Sequence, residues 1–285
     1  WQDNIKTRGV DGDFNVNYIN ELFEYHIITL ESLPWITGAA QWAFKDFATP
    51  LRPENDIPYV NMKGLVDRAG KPKDPYYIYK SYWGNEPVVY IESHDWKYRW
   101  GQVGEAKLVK VYSNCEEVEL IVNGVSLDKK KRNSGQFPAA GLVWSVIFEE
   151  GKNELEAIGY KNSQQIMTDK HTLTYIEDNW GSPTKINLQS DEMELDSYGK
   201  VFEIKAKLVD DKDRLCLDAN QRIRFYHEGD GQLLVNLGIV EGSKLVGLAC
   251  GQAKIRLLPK ESGRAIIKVE VEDIEIPIST ITIDY

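Results

Sequence analysis

The residues best suited to chemistry gather in one short stretch. Ile36-Thr37-Gly38-Ala39-Ala40-Gln41-Trp42-Ala43-Phe44-Lys45-Asp46-Phe47 opens with small side chains and closes with aromatic and acidic ones. Gly38, Ala39 and Ala40 let neighbouring backbones approach closely, so the run is expected as one buried strand. Trp42, Phe44, Asp46 and Phe47 would then collect at its carboxyl end, where α/β barrels place their active sites. Other chemistries are weaker. His26, His94, His171 and His227 are scattered without metal-ligand spacing, and are expected as one helix-face residue and three sandwich-surface or loop residues. No glycine loop of the phosphate-cradling kind occurs. Glu116, Glu117, Glu149 and Glu150 read as solvated strand ends, with a calcium site among them the lesser reading. Trp96 and Trp100, with Tyr98 between them, form either a sugar-stacking platform or, as preferred here, a structural seal at a domain junction. Cys115, Cys216 and Cys250 are odd in number and far apart, which gives neither a disulfide framework nor a zinc pattern, so they are expected as buried thiols.

The elements that must position these residues follow from periodicity. Tyr18, Leu22, Phe23, Ile27 and Leu30 recur at three- and four-residue steps, which predicts a helix from Asn17 to Leu33, capped by Asn15 or Asn17 and closed by Pro34. Residues Ala48 to Pro58 contain three prolines and no period, and are expected as a loop. Asp74-Pro75 predicts a second helix, with Asp as cap, running through Tyr76, Tyr77, Tyr79 and Tyr82 to Trp83-Gly84. After about Glu86 the period becomes twofold. Val118, Leu120 and Val122 alternate toward an Asn123-Gly124 turn, and Leu142, Trp144, Val146 and Phe148 line one face of another strand, continued by Leu155 and Ala157. Lys129-Lys130-Lys131-Arg132 reads as a solvated hairpin tip. The stretch from Glu177 to Pro183 is a linker by composition. Beyond it Phe202, Ile204, Ala206 and Leu208 alternate, as do Ile267, Val269 and Val271, and then Ile274, Ile276, Ile278, Ile281 and Ile283.

With 285 residues the chain is expected to hold two or three domains. A composition of 42% hydrophobic and 27% charged residues is that of a soluble globular protein. The formal net charge of −10 excludes a nucleic-acid footprint, which needs clustered positive charge. No apolar run approaches the ~20 residues of a membrane span.

A resemblance then attaches to particular residues. Trp42-Ala43-Phe44-Lys45-Asp46-Phe47, Asn61-Met62-Lys63-Gly64-Leu65-Val66-Asp67-Arg68 and Lys71-Pro72-Lys73-Asp74-Pro75-Tyr76-Tyr77 resemble the end of the catalytic barrel in glycoside hydrolase family 2, within it the β-galactosidase-like enzymes of Bacteroides type. Tyr112 to Leu120 with Asn123-Gly124 resembles the immunoglobulin-like domain that follows the barrel there. Phe137 to Leu142 and Leu215 to Ala219 are further matches. The resemblance implies the C-terminal portion of a (β/α)8 barrel over residues 1–85, followed by two all-β immunoglobulin-like sandwiches over 86–178 and 179–285.

The resemblance also implies retaining hydrolysis of β-glycosides by two glutamates. Asn20-Glu21, Asn85-Glu86 and Asn153-Glu154 do not end a buried strand, and no Ser-Glu-aromatic-Gly signature occurs. Both catalytic glutamates are therefore expected upstream of Trp1, with this chain inactive alone. For substrate binding the resemblance implies Trp42, as an apolar wall stacking on the sugar. It also implies Asn61 and Lys63, an Asn-x-Lys pair similar to the one with which β-glucuronidases of the family hold the substrate carboxylate. A β-galactosidase-like parent is the first reading and a β-glucuronidase the second. A non-catalytic carbohydrate-binding or adhesion module is the alternative from another class, disfavoured by the helix–strand–loop–helix of the first 84 residues. The implied partners are a carbohydrate substrate, the remainder of the barrel and, as an option, further copies of the chain. No cofactor and no metal is implied, and the location is periplasmic or secreted in a bacterium. Residues 1 to 84 are expected to need cover from the barrel or a second copy, while each sandwich folds by itself.

Overall fold

The computed structural model describes residues 16–50, 59–94, 98–195, 198–234, 244–248, 250–260 and 263–285. Asn15, Trp96 and most of the expected 48–58 loop lie outside the described residues. The chain is mostly β and multidomain. Helix α1 (Val16–Ser32) precedes the short strands β1 (Phe47–Ala48) and β2 (Val60–Asn61), and helix α2 (Asp74–Trp83) follows them. Next come β3 (Val89–Ile91), β4 (Tyr98–Gly101), β5 (Ala106–Ser113), β6 (Glu117–Val122), β7 (Val125–Lys131), β8 (Val143–Ile147), β9 (Gly151–Lys161) and β10 (Gln164–Glu177). The remainder is β11 (Lys185–Leu195), β12 (Gly199–Val209), β13 (Arg222–Gly229), β14 (Gln232–Leu234), β15 (Leu245–Gly247), β16 (Gln252–Leu258), β17 (Arg264–Val271) and β18 (Ser279–Asp284). The described residues divide into two compact units, the first holding 16–46 and 63–178, the second 47–50, 59–62 and the residues from 179 onward.

In the first unit the sheets β4-β10-β9-β6-β7 and β3-β5-β8 enclose a core that includes Val118, Leu120, Leu142, Trp144 and Ala157. The twofold alternation in the sequence is the cause: on each strand every second side chain enters the core. Asn123 (φ 50°) and Gly124 (φ 80°) join β6 to β7. Positive φ at both central residues is what a two-residue hairpin of type I′ demands. Because the turn falls there, Lys129-Lys130-Lys131 is not a solvated tip but part of β7. Lys129 and Lys131 stand opposite Glu119 and Glu117, and Lys130 Nζ donates to Val143 O at 2.5 Å. Opposite charges across strands favour that register.

Both helices sit on this sandwich. Ile27 of α1 and Ile78 of α2 are fully buried and cluster with Tyr90, Tyr112 and Ala139. The two helices thus find cover within their own unit. Helix α2 starts at Asp74 as the Asp-Pro signal predicts, but Lys73 occupies the cap position and makes no side-chain capping bond.

The expected single strand at Ile36–Phe47 does not form. Residues 33–44 are in no strand, Lys45 makes one isolated parallel bridge to Val66, and only Phe47–Ala48 enters a ladder. Strand structure requires a neighbour to bond, and none of the described residues pairs with residues 36–42; Gly38-Ala39-Ala40 offers too little apolar surface to bury the run in any other way.

In the second unit the sheets β11-β12-β16-β14 and β15-β13-β17-β18 enclose Ile204, Leu208, Ile223, Phe225, Leu257, Ile267 and Val269 among others. Ile278 departs from the expected alternation and is exposed. Of the linker residues, Trp180 and Gly181 are fastened to this unit: Trp180 Nε1 donates to Asp218 Oδ1 at 2.6 Å and Gly181 N to Asp210 Oδ2 at 2.9 Å. The cysteines carry free thiols, buried at Cys115 and Cys216 and half-buried at Cys250.

Candidate functional site

Two chain segments of the first unit, 42–46 and 63–67, are bonded to each other. Leu65 N donates to Ala43 O (3.1 Å), Val66 N to Phe44 O (3.0 Å), and Asp46 N to Val66 O (3.0 Å). A third segment is added by Lys73 N to Leu65 O (3.0 Å) and Asp67 N to Lys71 O (2.9 Å). At the centre lies the buried carboxylate of Asp46. Its Oδ1 accepts from Gly64 N at 2.8 Å and from Lys73 Nζ at 2.8 Å. Gly64 packs so closely that a Cβ there would lie 2.2 Å from Asp46 N and 2.5 Å from both Lys45 C and Val66 O. These neighbours are backbone atoms that cannot swing aside, so position 64 admits only glycine.

Trp42 and Lys63 are the first residues of these two segments. Gln41 steadies the first, with Nε2 donating to Trp42 O at 3.0 Å and Oε1 accepting from Tyr79 OH of α2 at 3.4 Å. The Trp42–Ala43 peptide is cis. The Trp42 indole is 75% exposed and Phe44 63% exposed, so both project from a fixed backbone rather than pack in a core. Lys63 is exposed, while Gly64, Leu65 and Val66 are buried. Asn61 belongs to the second unit, where β2 pairs with β1 through Phe47 opposite Asn61 and Ala48 opposite Val60, and Thr49 N donates to Tyr59 O at 2.8 Å. Val60 is buried and Asn61 half-buried.

A second polar assembly was not legible in the sequence. Buried Asn20 and Glu24 of α1 share a helical face with Ile27, a polar interruption at three- and four-residue spacing that is the one available sequence signal. Asn20 Nδ2 donates to Glu92 Oε1 (2.9 Å) and to Asp74 Oδ2 (3.4 Å). Tyr90 OH donates to Asp74 Oδ1, Ser93 N to Asp74 Oδ2 (2.6 Å), Tyr112 OH to Glu92 Oε1 (3.2 Å) and Tyr82 OH to Glu24 Oε1 (2.8 Å). Asp74 is therefore spent on tertiary bonds instead of a cap. Burial pushes the Glu92 carboxyl up to about 7, with the Lys110 ammonium 3.8 Å away and the Asn20 amide opposing it. Burial likewise raises Asp74 and Glu24 above the ordinary carboxylate range, against their hydrogen bonds to Tyr90 and Tyr82.

Two of the four histidines, His94 and His171, meet in space. Rings of Tyr77, Tyr90, His94 and His171 stack in a column at centroid spacings of 3.8, 4.6 and 4.9 Å, and His94 Nε2 lies 2.7 Å from Asp169 Oδ2. The cavity beside this assembly is about 10 Å³, lined in part by Glu92, Arg99 and His171. That admits about one water and no sugar, so the network braces the helices on the sandwich. Among the described residues no group of three metal-ligating side chains comes together. No helix among them is long and apolar enough to cross a membrane. Tyr98 is exposed and Trp100 buried, which leaves no flat pair of rings from the expected platform among the described residues.

A family model described as a domain of unknown function, DUF4982, matches residues 104–167, the stretch from β5 into β10. A Formosa agariphila protein that carries a β-glucuronidase name is 44% identical over 256 residues, covering 90% of this chain and 30% of the relative. A β-galactosidase of Bacteroides ovatus is 31% identical over 198 residues, covering 69% of this chain and 22% of the relative. The crystal structure of a Parabacteroides merdae β-glucuronidase matches with a TM-score of 0.63 at 38% identity, covering 96% of this chain and 34% of that one. The chain spans about a third or less of the length of these relatives.

Proposed function

The chain is related to the glycoside hydrolases of family 2, and on that premise we propose that it is the carboxyl-terminal part of a retaining β-glycosidase that cleaves terminal β-glucuronides. The catalytic glutamate pair is assigned to the part of the relatives' length that this chain does not match. Residues 1–85 are assigned to the end of the barrel, and 86–178 and 179–285 to immunoglobulin-like domains behind it. The individual exposure of Trp35, Ile36, Trp42 and Phe44 on the first unit fits a barrel edge that the rest of the parent covers.

The carrying observation is the Lys63-Gly64 step: an exposed lysine joined to a glycine whose N–H is fastened to a buried carboxylate. A lysine ammonium presented from so fixed a backbone can donate a charge-assisted hydrogen bond to a uronate carboxylate. The Trp42 indole offers an apolar face to the C–H side of the sugar ring. Bonds to a charged partner contribute about 1.5–3 kcal/mol, so Lys63 would select a uronide over a neutral hexoside by roughly ten- to a hundred-fold. The β-glucuronidase names of the Formosa and Parabacteroides relatives support this order of readings. A β-galactosidase is the second reading, favoured by the name of the Bacteroides ovatus relative.

Nitrophenyl β-glucuronide and β-galactoside, each offered to the full-length parent and to its Lys63→Ala variant, test the reading. The parent should turn over the glucuronide, and Lys63→Ala should lose about tenfold or more of kcat/KM on it while leaving any galactoside turnover within about threefold. A parent that cleaves galactosides and ignores glucuronides makes the second reading the correct one. Residues 1–285 alone should show no turnover of either.

A further inference from the structure

We propose that Asp46 and Lys73 form a positioning clasp for Lys63, so that uronide specificity depends on a carboxylate that never touches the sugar. The inference rests on the reading of Lys63 given above. Asp46 is almost wholly buried, with its side chain 5% exposed, yet a single oxygen of it receives both the Gly64 amide and the Lys73 ammonium at 2.8 Å. Its backbone N–H is bonded in turn to Val66 O. Residue 46 therefore grips the 64–66 segment at two points four bonds apart along its own residue, one through the side chain and one through the main chain. The Gly64 N–H belongs to the Lys63–Gly64 peptide, and fixing that peptide plane fixes the Lys63 Cα from which its side chain departs. The absent Cβ of Gly64 is what permits the approach, because the space it would occupy is filled by the Lys45–Asp46 backbone.

Lys73 has a separate part. Left with one hydrogen bond, a buried carboxylate would be under-satisfied and would set an uncompensated negative charge one residue from the ammonium meant for an anionic sugar. Lys73 reaches it from the residue just before α2, and the adjacent backbone bond from Lys73 N to Leu65 O sets its stem. The clasp thus neutralises Asp46 with one lysine while orienting another. Loss of either member should disturb the binding of the uronate carboxylate, and spare the bond-breaking step carried by the catalytic pair.

The test uses the full-length parent, with nitrophenyl β-glucuronide as the probe. Asp46→Ala should raise KM by about tenfold or more, with kcat held within about threefold. Lys73→Met, at a side chain 28% exposed, should raise KM by about three- to tenfold with kcat again held. Asp46→Asn retains an oxygen for Gly64 and should recover most of the Asp46→Ala loss. In a Lys63→Ala background either substitution should change KM by less than about twofold, because residues acting through one group are not additive. The proposal is overturned if the losses in the double variants add, if kcat falls in step with KM unchanged, or if Lys73→Met leaves KM as it was. Should Asp46→Ala fail to fold, the Lys73→Met outcomes decide alone. If Lys63→Ala itself leaves glucuronide KM unmoved, the underlying reading of Lys63 has failed and the clasp falls with it; a Lys63→Ala loss without an Asp46 or Lys73 effect rejects the clasp only.

Discussion

Glu92 is a carboxylic acid shut away from solvent among Asn20, Asp74, Tyr112 and Lys110, and its ionisation is tied to folding. In the unfolded chain it titrates near 4.5, in the folded chain near 7. Between those values the folded state binds more protons than the unfolded one, so stability is greatest at the acid end and falls as pH rises through the window. The full effect is on the order of 3 kcal/mol. Asp74 and Glu24, also raised, act in the same direction. Melting curves at pH 5 and 7.5 should show the decline, and Glu92→Gln, which removes the titration and keeps an acceptor for Asn20, should flatten it. Equal pH slopes in both proteins would sink this account. Gly64 makes a second claim at the same scale: Gly64→Ala drives a methyl into backbone and should cost about 1–3 kcal/mol or more, read as a lower Tm and faster amide exchange across 63–67.

At the scale of elements, α1 and α2 owe their order to the sandwich beneath them. Truncating Ile27 or Ile78, each fully buried, should cost about 2–5 kcal/mol. Limited proteolysis should then open the helices first, with β5 to β10 surviving. Simultaneous digestion of helices and sandwich would show the two to be a single cooperative block. The β6–β7 hairpin offers a cleaner test of backbone strain, since nothing lies within 4 Å of the place a Gly124 Cβ would take and only the positive φ opposes it. Gly124→Ala should therefore cost about 1 kcal/mol, measured by urea denaturation.

For the whole molecule, the two sandwich cores share no residue. Calorimetry should resolve two transitions, with Leu120→Ala lowering one and Phe225→Ala the other, each by about 3–5 kcal/mol. A joint shift of both transitions by either variant would refute separate cores. The exposed Trp35 and Trp42 belong to this scale too, because their cover is assigned to the remainder of a parent of which this chain matches about a third or less.

The twofold alternation through 118–122, 142–148, 202–208 and 267–271, the Asn123-Gly124 turn and the start of α2 were all legible from sequence, because each is a local pattern whose physical meaning does not depend on distant residues. The stretch 36–47 was misread for the opposite reason. An apolar run becomes a strand only when another strand bonds to it, and composition cannot say whether one does. Lys129–Lys131 was displaced from tip to strand by a turn about six residues earlier. Trp42, Asn61 and Lys63 were named as substrate-binding residues only through the family resemblance, and Asp46 and Lys73 could not be recognised as a pair around Gly64. The network of Asn20, Asp74 and Glu92 joins residues 54 and 72 positions apart. Such bonds exist only once burial has stripped water from their partners, so tertiary structure alone decided which polar residues of this chain would be charged, shared or enclosed.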